Sequence, residues 1–353
     1  MRLRYLTPLT YPSRLANRVQ VMKMSAALSK QADFALYIEN TKVPSEELFH
    51  DYSIHAPFTI KEVGQPSLWP RSFWLAWKYR ALINVSEKDV VWYVRDVLLT
   101  FWLIVLSRKF RNSYIFELHT LSRFPNFVYR RVLSNAACTI TTNERKKKDI
   151  QSQYGIPADS ILVAGNGIDL EEFSLLPSRE EARRILAITT TKPLLVYTGT
   201  DEKNYGTGIL REAAKILSGQ TEMLIITGKP RREALMYMRA ADVLVAPYLG
   251  ENEHMRLYMS PMKVKEYMAE AKPIIVSDLP AVRDVGLTEK QVFFTEPGGA
   301  KALAESIQFV LTHPEEAEKR SREVRMLANQ FTWDNRAERI INFISSKTNA
   351  NRA

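Results

Sequence analysis

The segment SPMKVKEYMAEAKPIIVSDLP, residues 260–280, combines the pattern of an amphipathic helix with that of a buried strand. Ser260 is predicted to cap the helix and Pro261 to be its first residue, because serine and proline favour those positions. The apolar residues with the spacing of one buried helical face are Val264, Tyr267, Met268 and Ala271. A helix that leads directly into an apolar strand is typical of a parallel sheet with helices on both faces.

The same alternation of strands and helices extends over nearly the whole chain in two successive series. Strands of the first series are predicted at 2–6, 34–38, 90–94, 114–118, 138–142 and 161–164. Strands of the second series are predicted at 194–198, 223–227, 243–247, 273–277 and 292–294, and the helices include 15–30, 97–110 and 143–154. We therefore predict an α/β protein with two doubly wound, Rossmann-like domains, at residues 1–165 and 166–330, and a final helical segment at 331–353.

The composition is that of a globular protein in a reducing compartment. Cys138 is the only cysteine, so the chain can form no internal disulfide and offers no thiolate cluster for a metal. The N-terminus lacks the apolar run of a signal peptide. The longest apolar run, residues 97–106, is about half as long as a spanning helix needs. We expect a cytoplasmic protein that does not span a membrane.

The net charge of +10 is confined to the N-terminal half of the chain. Residues 1–165 contain 23 Lys and Arg against 13 Asp and Glu, whereas the remainder contains 26 of each kind. A basic half indicates an anionic partner, which could be a membrane surface, a phosphorylated substrate or nucleic acid. Nucleic acid is the weakest of these, since no recognised nucleic-acid motif accompanies the charge.

Residues 66–83 intersperse aromatic side chains with cations at helical spacing. The aromatic residues are Trp69, Trp74, Trp77 and Tyr79, and the cations are Arg71, Lys78 and Arg80. This combination suits the interface of an anionic membrane, and we expect peripheral binding to its inner face. Ordinary packing of the helix against its own sheet explains the aromatic residues equally well.

Lys263 lies in the first turn of the helix in residues 260–280, where the helix dipole disfavours a cation. A bound phosphate would reverse that effect, because the helix N-terminus and the lysine would then attract the same anion. Glu266, one turn further on, could accept hydrogen bonds from sugar hydroxyls. The alternative is a solvated Lys263–Glu266 ion pair, which contributes about 0–1 kcal/mol.

Residues 260–280 also resemble the segment SPxKxxEYMAxxxPIIxSDLP of the retaining glycosyltransferases of family 4. Further segments are similar to that family in the same order along the chain. They are YPSRLANRVQVMKMSAAL (11–28), YVRD (93–96), FELH (116–119), LVAGNGIDLEEF (162–173), RAADVLVAPY (239–248) and the tail FTWDNRAERI. The resemblance therefore spans almost the whole chain.

The resemblance implies the GT-B fold, in which two Rossmann-like domains face a central cleft and the last helix crosses back to the first domain. It implies a hexosyltransferase-like enzyme that transfers a sugar from a nucleotide diphosphate sugar with retention at the anomeric carbon. The implied acceptor is a glycan or a lipid-linked glycan of cell-surface polysaccharide or glycolipid synthesis. No cofactor or metal is implied, since lysines and a helix N-terminus can stabilise the departing diphosphate.

The resemblance also assigns site residues. It implies a donor site formed by Gly199, Lys203, Ser260, Lys263 and Glu266. It implies catalytic roles for His119, Lys203 and Lys263, and acceptor-side roles for Arg14, Asn17 and Arg95. Without the family, Lys203 is an exposed loop lysine and His119 a polar packing residue. Asn166, Gly167 and Asp169 are interpreted as turn and hinge residues.

Two departures from the family pattern leave other functions open. The family commonly has a glutamate eight residues before the second one, and that position here is Tyr258, with Glu251 and Glu253 in the preceding loop. The segment between residues 227 and 239 is also short, and it normally helps to hold the base. The alternatives are a nucleotide-sugar epimerase on the same fold and a catalytically silent nucleotide-binding partner of another transferase.

Overall fold

The computed structural model describes residues 1–13, 15–65, 70–86, 89–121 and 123–350, which form two compact units. The first unit comprises residues 1–165 together with the chain from Trp333 onward, and the second comprises Asn166–Thr332. Phe331 and Thr332, which the sequence analysis places in the final segment, belong to the second unit. The Phe331 carbonyl accepts a hydrogen bond from the N–H of Ile168 (2.7 Å).

The first unit is built on a parallel sheet of seven strands. The strands of this unit are β1 (Arg2–Leu6), β2 (Thr10–Tyr11), β3 (Asp33–Ile38), β4 (Asn40–Thr41), β5 (Thr59–Glu62), β6 (Val90–Val94), β7 (Tyr114–Leu118), β8 (Cys138–Thr141) and β9 (Ile161–Val163). The short strands β2 and β4 pair with each other outside this sheet. The order across the sheet is β5-β3-β1-β6-β7-β8-β9. The chain leaves β1 in one direction for β3 and returns on its other side at β6. The topological switch point, where open sheets bind ligands, therefore lies between β1 and β6.

Six helices connect the strands in the described part of the first unit. They are α1 (Ala16–Ser29), α2 (Ser45–Asp51), α3 (Arg71–Val85), α4 (Val97–Leu106), α5 (Asn126–Ser134) and α6 (Glu144–Tyr154). Helix α4 is capped by Asp96, whose side chain accepts the N–H of Leu99 (2.8 Å). Two of its residues, Leu99 and Leu103, are fully buried in the core of the unit.

The second unit has a five-stranded parallel sheet. Its strands are β10 (Leu194–Thr198), β11 (Glu222–Ile226), β12 (Val243–Ala246), β13 (Ile274–Ser277) and β14 (Phe293–Thr295). Its helices are α7 (Leu170–Ser174), α8 (Arg179–Ile185), α9 (Thr207–Ile216), α10 (Arg231–Ala240), α11 (Met262–Ala269), α12 (Pro280–Arg283), α13 (Ala300–Thr312) and α14 (Pro314–Ala328). The strand order β11-β10-β12-β13-β14 places the switch point between β10 and β12.

The final helix, α15 (Trp333–Ala350), packs on the first unit. Its apolar stripe of Trp333, Ala337, Ile340 and Ile344 is buried, and the helix contacts α1. From the same helix Arg336 donates to the carbonyl of Ala164 (3.2 Å). The return of the chain to the first unit agrees with the expected fold class.

The predicted strands are all present, and their ends lie within one residue of the prediction. The prediction missed the two-residue strands β2 and β4, and it missed β5, because the residues of β5, TIKE, are mostly exposed and form no apolar run. The predicted start of the helix in residues 260–280 was wrong. Helix α11 begins at Met262 with Pro261 as its cap residue, and Ser260 lies before it. Ala271 is not on the buried face, because it follows the helix with a left-handed backbone (φ 53°) and is exposed.

The interfacial interpretation of residues 66–83 needs two changes. Tyr79 is fully buried, and its hydroxyl donates to the carbonyl of Thr7 (2.9 Å), so this ring belongs to the core. Trp69 lies outside the described residues. The exposed aromatic side chain of this segment is Trp77, whose side of α3 faces solvent.

Candidate functional site

The switch point of the second unit contains a buried lysine in an aromatic cage. Lys263 is the second residue of α11, and its Nζ lies 3.5 Å from the centre of the Tyr197 ring at the end of β10. The rings of Tyr205 and Tyr248 lie 5.1 and 5.5 Å from the same atom. Within the described part of the chain, this buried Nζ has no hydrogen-bond partner. An ammonium group in that position has its donors available for an anion.

Gly199 leaves the space that Lys263 fills. This glycine directly follows β10 and has φ +132°, a conformation that side chains rarely adopt. A Cβ at this position would lie 2.9 Å from both Cε and Nζ of Lys263. Any side chain here would therefore displace the lysine from its cage.

The turn that carries Tyr205 is pinned against the end of β12. Gly206 (φ +76°) lies so close to this strand end that a Cβ would come within 1.7 Å of the Pro247 carbonyl oxygen. The N–H of Leu249 donates to the carbonyl of Asn204 (3.2 Å). These contacts hold the ring of Tyr205 beside Lys263.

Burial controls the ionisation of the caged lysine. It lowers the pKa of Lys263 well below the ordinary value, and the negative charge of Glu266 opposes that effect only in part. An anion that binds beside Nζ would raise the pKa again. The site is therefore suited to a ligand that brings its own negative charge.

Glu266 is paired with an arginine, not with Lys263. Its Oε1 accepts from Arg231 Nη1 (2.8 Å), and Arg231 also donates to Glu172 through Nε and Nη2. The alternative interpretation, a solvated ion pair between Lys263 and Glu266, is therefore wrong. Burial alone would lower the pKa of Arg231, but the charges of Glu266 and Glu172 raise it above its ordinary value. The three side chains form a largely buried network that fixes Glu266.

Ser260 connects α11 to the start of the second unit. Its Oγ accepts from the N–H of Asn166 (3.1 Å), and its carbonyl accepts from Asn166 Nδ2 (3.3 Å). Lys265 donates to the carbonyl of Asn166 (2.6 Å). The serine hydroxyl therefore organises the turn at residues 166–167 and does not cap the helix.

Lys203 is placed differently from Lys263. Its side chain is 76% exposed, and its ammonium pairs with Glu251 (2.9 Å). This pair connects the loop after β10 to the loop after β12. The structure brings Gly199 and Lys263 into contact and places Glu266 on the same helix, whereas Lys203 lies on the surface.

The first unit carries a second polar cluster at the carboxyl ends of β6 and β7. Its centre is Glu117, which is fully buried in β7. Glu117 accepts from Tyr93 (2.7 Å) and from Arg336 of the last helix (2.5 Å), and its Oε1 lies 3.0 Å from His119 Nε2. The sequence analysis named His119 and missed Glu117 and Arg336. The glutamate in FELH was the available signal for Glu117.

Arg95 and Asn17 occupy different surroundings. Arg95 follows β6, donates to Gln20 of α1 (3.3 Å) and lies near the hydroxyl of Tyr5. Asn17 lies in the first turn of α1, is exposed, and accepts from Arg18 (3.1 Å). Arg14 lies outside the described residues.

In the described ranges there is no group of three or more His, Cys, Asp or Glu side chains that could hold a metal ion. The described helices include none that is long and apolar enough to cross a membrane.

Two family models match consecutive parts of the chain. The model described as Glycosyltransferase Family 4 matches residues 19–172, and the model described as Glycosyl transferases group 1 matches residues 180–313. A curated relative, the D-inositol 3-phosphate glycosyltransferase of Xylanimonas cellulosilytica, is 20% identical over 318 residues. That alignment covers 74% of this chain and 74% of the relative.

Solved structures share the whole architecture at low sequence identity. A glycosyltransferase from Rickettsia africae has a TM-score of 0.76 at 12% identity, with 98% of this chain and 99% of that chain covered. HepE of Anabaena in complex with UDP has a TM-score of 0.74 at 16% identity, with 98% and 100% covered. A further HepE structure contains UDP-glucose and has a TM-score of 0.72. At these identities the likeness shows the fold.

Proposed function

Because this chain belongs to glycosyltransferase family 4 and has the GT-B fold, we propose that it transfers a hexose from a nucleoside diphosphate sugar to an acceptor, with retention at the anomeric carbon. The acceptor we propose is a glycan or a lipid-linked glycan. Support for the donor class comes from HepE, which was solved with UDP and with UDP-glucose.

The observation that carries the proposal is the caged Nζ of Lys263, which has no hydrogen-bond partner among the described residues. A buried cation without a hydrogen-bond partner is costly unless a ligand supplies one. A diphosphate would supply oxygens to Nζ and add negative charge where burial has depressed the pKa. The N-terminus of α11 favours the same anion. The cage therefore fits the diphosphate of a sugar donor.

The other residues take roles consistent with this position of the diphosphate. Glu266, held by Arg231, would accept hydrogen bonds from the ribose hydroxyls. Lys203 would reach the diphosphate only after it leaves Glu251, so we expect a smaller contribution from it. His119 would contact the transferred sugar, and Arg95 and Asn17 would serve the acceptor.

In the transfer step the diphosphate gains negative charge as the bond to the anomeric carbon breaks. Lys263 is already in place and would stabilise that charge better in the transition state than in the bound donor. We propose that this lysine serves in place of a metal ion. Turnover is then expected to be unchanged by excess EDTA, and a loss that added Mg²⁺ restores would contradict the metal-free mechanism.

A panel of nucleotide sugars tests the proposed function. Without an acceptor, we expect slow hydrolysis of the correct donor to the free sugar and a nucleoside diphosphate. With an acceptor, we expect transfer of the sugar to it and release of the same nucleoside diphosphate. An epimerised nucleotide sugar would identify an epimerase, and thermal stabilisation without turnover would identify a silent binding protein. A donor at 100 times its Kd adds about 2.7 kcal/mol to the free energy of unfolding, so a thermal shift identifies the nucleotide first.

The lowered pKa of Lys263 predicts that nucleotide binding takes up a proton. Free protein has a depressed lysine pKa, and bound phosphate raises it, so affinity should fall as pH rises from the free pKa toward the bound pKa. Calorimetry in buffers of different ionisation enthalpy measures the uptake above about pH 7, where the phosphate is already ionised. Lys263→Met should abolish it. Equal uptake by wild type and variant would exclude Lys263 as the group that is protonated.

We further propose that the first unit binds an anionic membrane through an aromatic face on α3, α4 and α5. This face consists of Phe73, Trp77, Phe101, Trp102, Val105 and Phe127. Helix α4 has no charged residue, and its outward side chains are as apolar as its buried ones. Phe127 is 64% exposed, Trp77 55% and Val105 47%. Edge-to-face contacts connect Phe73 to Trp102, with ring centroids 5.2 Å apart, and Phe101 to Phe127, with ring centroids 6.3 Å apart.

Cations accompany the aromatic face. Lys78 Nζ lies 4.8 Å from the centre of the Trp74 ring, and Arg80 Cζ lies 5.4 Å from the centre of the Trp77 ring. Two further cations, Arg108 and Lys109, follow α4 on the surface. Exposed rings at headgroup depth with cations beside them suit anionic lipid. The excess positive charge of residues 1–165 favours the same partner.

Vesicle sedimentation tests the membrane proposal. Wild type should bind anionic vesicles, bind neutral ones weakly, and lose binding as salt rises. Phe127→Glu should lower partitioning at least about tenfold, because burial of a phenylalanine contributes about 1.5–3 kcal/mol. Met326→Glu, at an exposed apolar residue of the second unit, is the matched control and should bind as wild type does. Equal binding of all three proteins, or equal binding to neutral lipid, would exclude this face.

A further inference from the structure

We propose that Glu117 is a positioning residue that keeps the proton of His119 on Nε2, so that Nδ1 can accept a hydrogen bond from a hydroxyl of the transferred sugar. This inference rests on the proposed function, because it takes His119 to contact that sugar. It adds Glu117, and through it Arg336 of the last helix, to the residues on which transfer depends.

The contacts of Glu117 determine which ring nitrogen carries the proton. Its Oε2 accepts from the Tyr93 hydroxyl (2.7 Å), and its Oε1 accepts from Arg336 Nη2 (2.5 Å). His119 Nε2 lies 3.0 Å from the same Oε1. An ionised carboxylate can only accept hydrogen bonds, so Nε2 must be the donor in this contact.

The charges around the pair keep Glu117 ionised. Burial alone would raise the pKa of Glu117, but Arg336, His119 and Arg95 together hold it well below its usual range. Arg336 is itself buried, and it also donates to the carbonyl of Ala164 (3.2 Å). The carboxylate is therefore a fixed acceptor at neutral pH.

The same surroundings keep the imidazole neutral. Burial, together with the charges of Arg95 and Lys146, lowers the pKa of His119 to about 4, because Glu117 opposes these effects only in part. A neutral ring with its proton on Nε2 has a lone pair on Nδ1. Among the described residues no hydrogen bond to Nδ1 is found, and the side chain is 23% exposed. Nδ1 is therefore available as an acceptor.

A hydroxyl of a sugar suits this acceptor. Sugar hydroxyls donate as well as accept, and one that donates to Nδ1 would fix the rotation of the sugar beside the ring. A protonated imidazole, or the opposite tautomer, would present an N–H there instead. The identity of the tautomer thus decides the direction of the hydrogen bond.

Nitrogen-15 NMR of the histidine rings tests the tautomer without any substrate, with His119→Asn used to assign the signals. At pH 7 the wild-type protein should show a protonated Nε2 and an unprotonated Nδ1. Glu117→Gln should yield a mixture, because an amide can either accept from Nε2 or donate to it. Glu117→Asp retains the charge beside Arg336 and withdraws the carboxylate from His119, so it should yield a mixture even if Glu117→Gln fails to fold. A wild-type proton on Nδ1, or the same spectrum in every folded variant, would overturn the proposal.

Turnover of the donor separates positioning from a structural role. Glu117→Asp is expected to lower kcat about 10- to 100-fold with little change in donor KM. The double variant with His119→Ala should be no slower than His119→Ala alone, because Glu117 acts through the ring. Losses that multiply would overturn the proposal. Absence of turnover by the wild type with every donor would instead refute the proposed function. The NMR test uses no substrate, so failure of the proposed function and failure of the tautomer proposal are distinguishable.

Discussion

Lys263→Ala is expected to lower kcat/KM for the nucleotide sugar about 100- to 1,000-fold. The donor should bind less tightly, because a desolvated charge-assisted contact contributes about 1.5–3 kcal/mol. Turnover should fall further, since the leaving diphosphate gains charge that the ammonium would stabilise. Steady-state kinetics of donor hydrolysis, with calorimetry of nucleoside diphosphate binding, measures both effects.

The matched control for this substitution is Lys301→Ala, which removes an exposed lysine from α13 of the same unit. It should leave kinetics and affinity at wild-type values. A complementary variant, Gly199→Ala, keeps the lysine but places a methyl group within 2.9 Å of Nζ, so it should also weaken nucleotide binding. Wild-type affinity in both Lys263→Ala and Gly199→Ala would mean that the aromatic cage binds no diphosphate.

Arg231→Ala is expected to reduce the free energy of unfolding by about 3–5 kcal/mol. The substitution removes the cation that contacts both Glu172 and Glu266 in largely buried positions, and breaking a buried ion pair by removing one partner has about that cost. Nucleotide affinity should fall as well, because Glu266 loses the contact that orients it. Urea denaturation followed by circular dichroism measures the first effect, and calorimetry on the folded variant measures the second.

Arg322→Ala is the control for that loss. Arg322 pairs with Glu318 on the exposed face of α14, so its removal should change the free energy of unfolding by less than about 1 kcal/mol. If Arg231→Ala is no more destabilising than this control, the network does not hold Glu266 in the way that the contacts indicate.

The strands were predictable because they depend on local pattern. Apolar runs such as LLVYT and IIVS have the length of buried parallel strands, and each lies within one residue of its predicted position. The exposed edge strand β5 carries no such signal. The helix start at Ser260 was mispredicted because the hydroxyl is used by a residue 94 positions earlier, Asn166. No local rule anticipates a partner at that separation.

The site was predictable in part. The cation in the first turn of α11 pointed to Lys263, and Glu266 lies about one turn further along the same helix, as the sequence indicated. The cage around Lys263 comes from Tyr197, Tyr205 and Tyr248, which converge only after three segments fold together. Arg231 and Glu172 pair across 59 residues. Such contacts follow from the arrangement of the strands and not from the spacing along the chain.

The central claim is that the caged ammonium of Lys263 binds the donor diphosphate. A crystal structure with the nucleoside diphosphate that gives the largest thermal shift tests this most directly. The account predicts a phosphate oxygen within hydrogen-bond distance of Lys263 Nζ and ribose hydroxyls on Glu266. A diphosphate bound elsewhere, with Nζ still enclosed only by its three tyrosine rings, would contradict it.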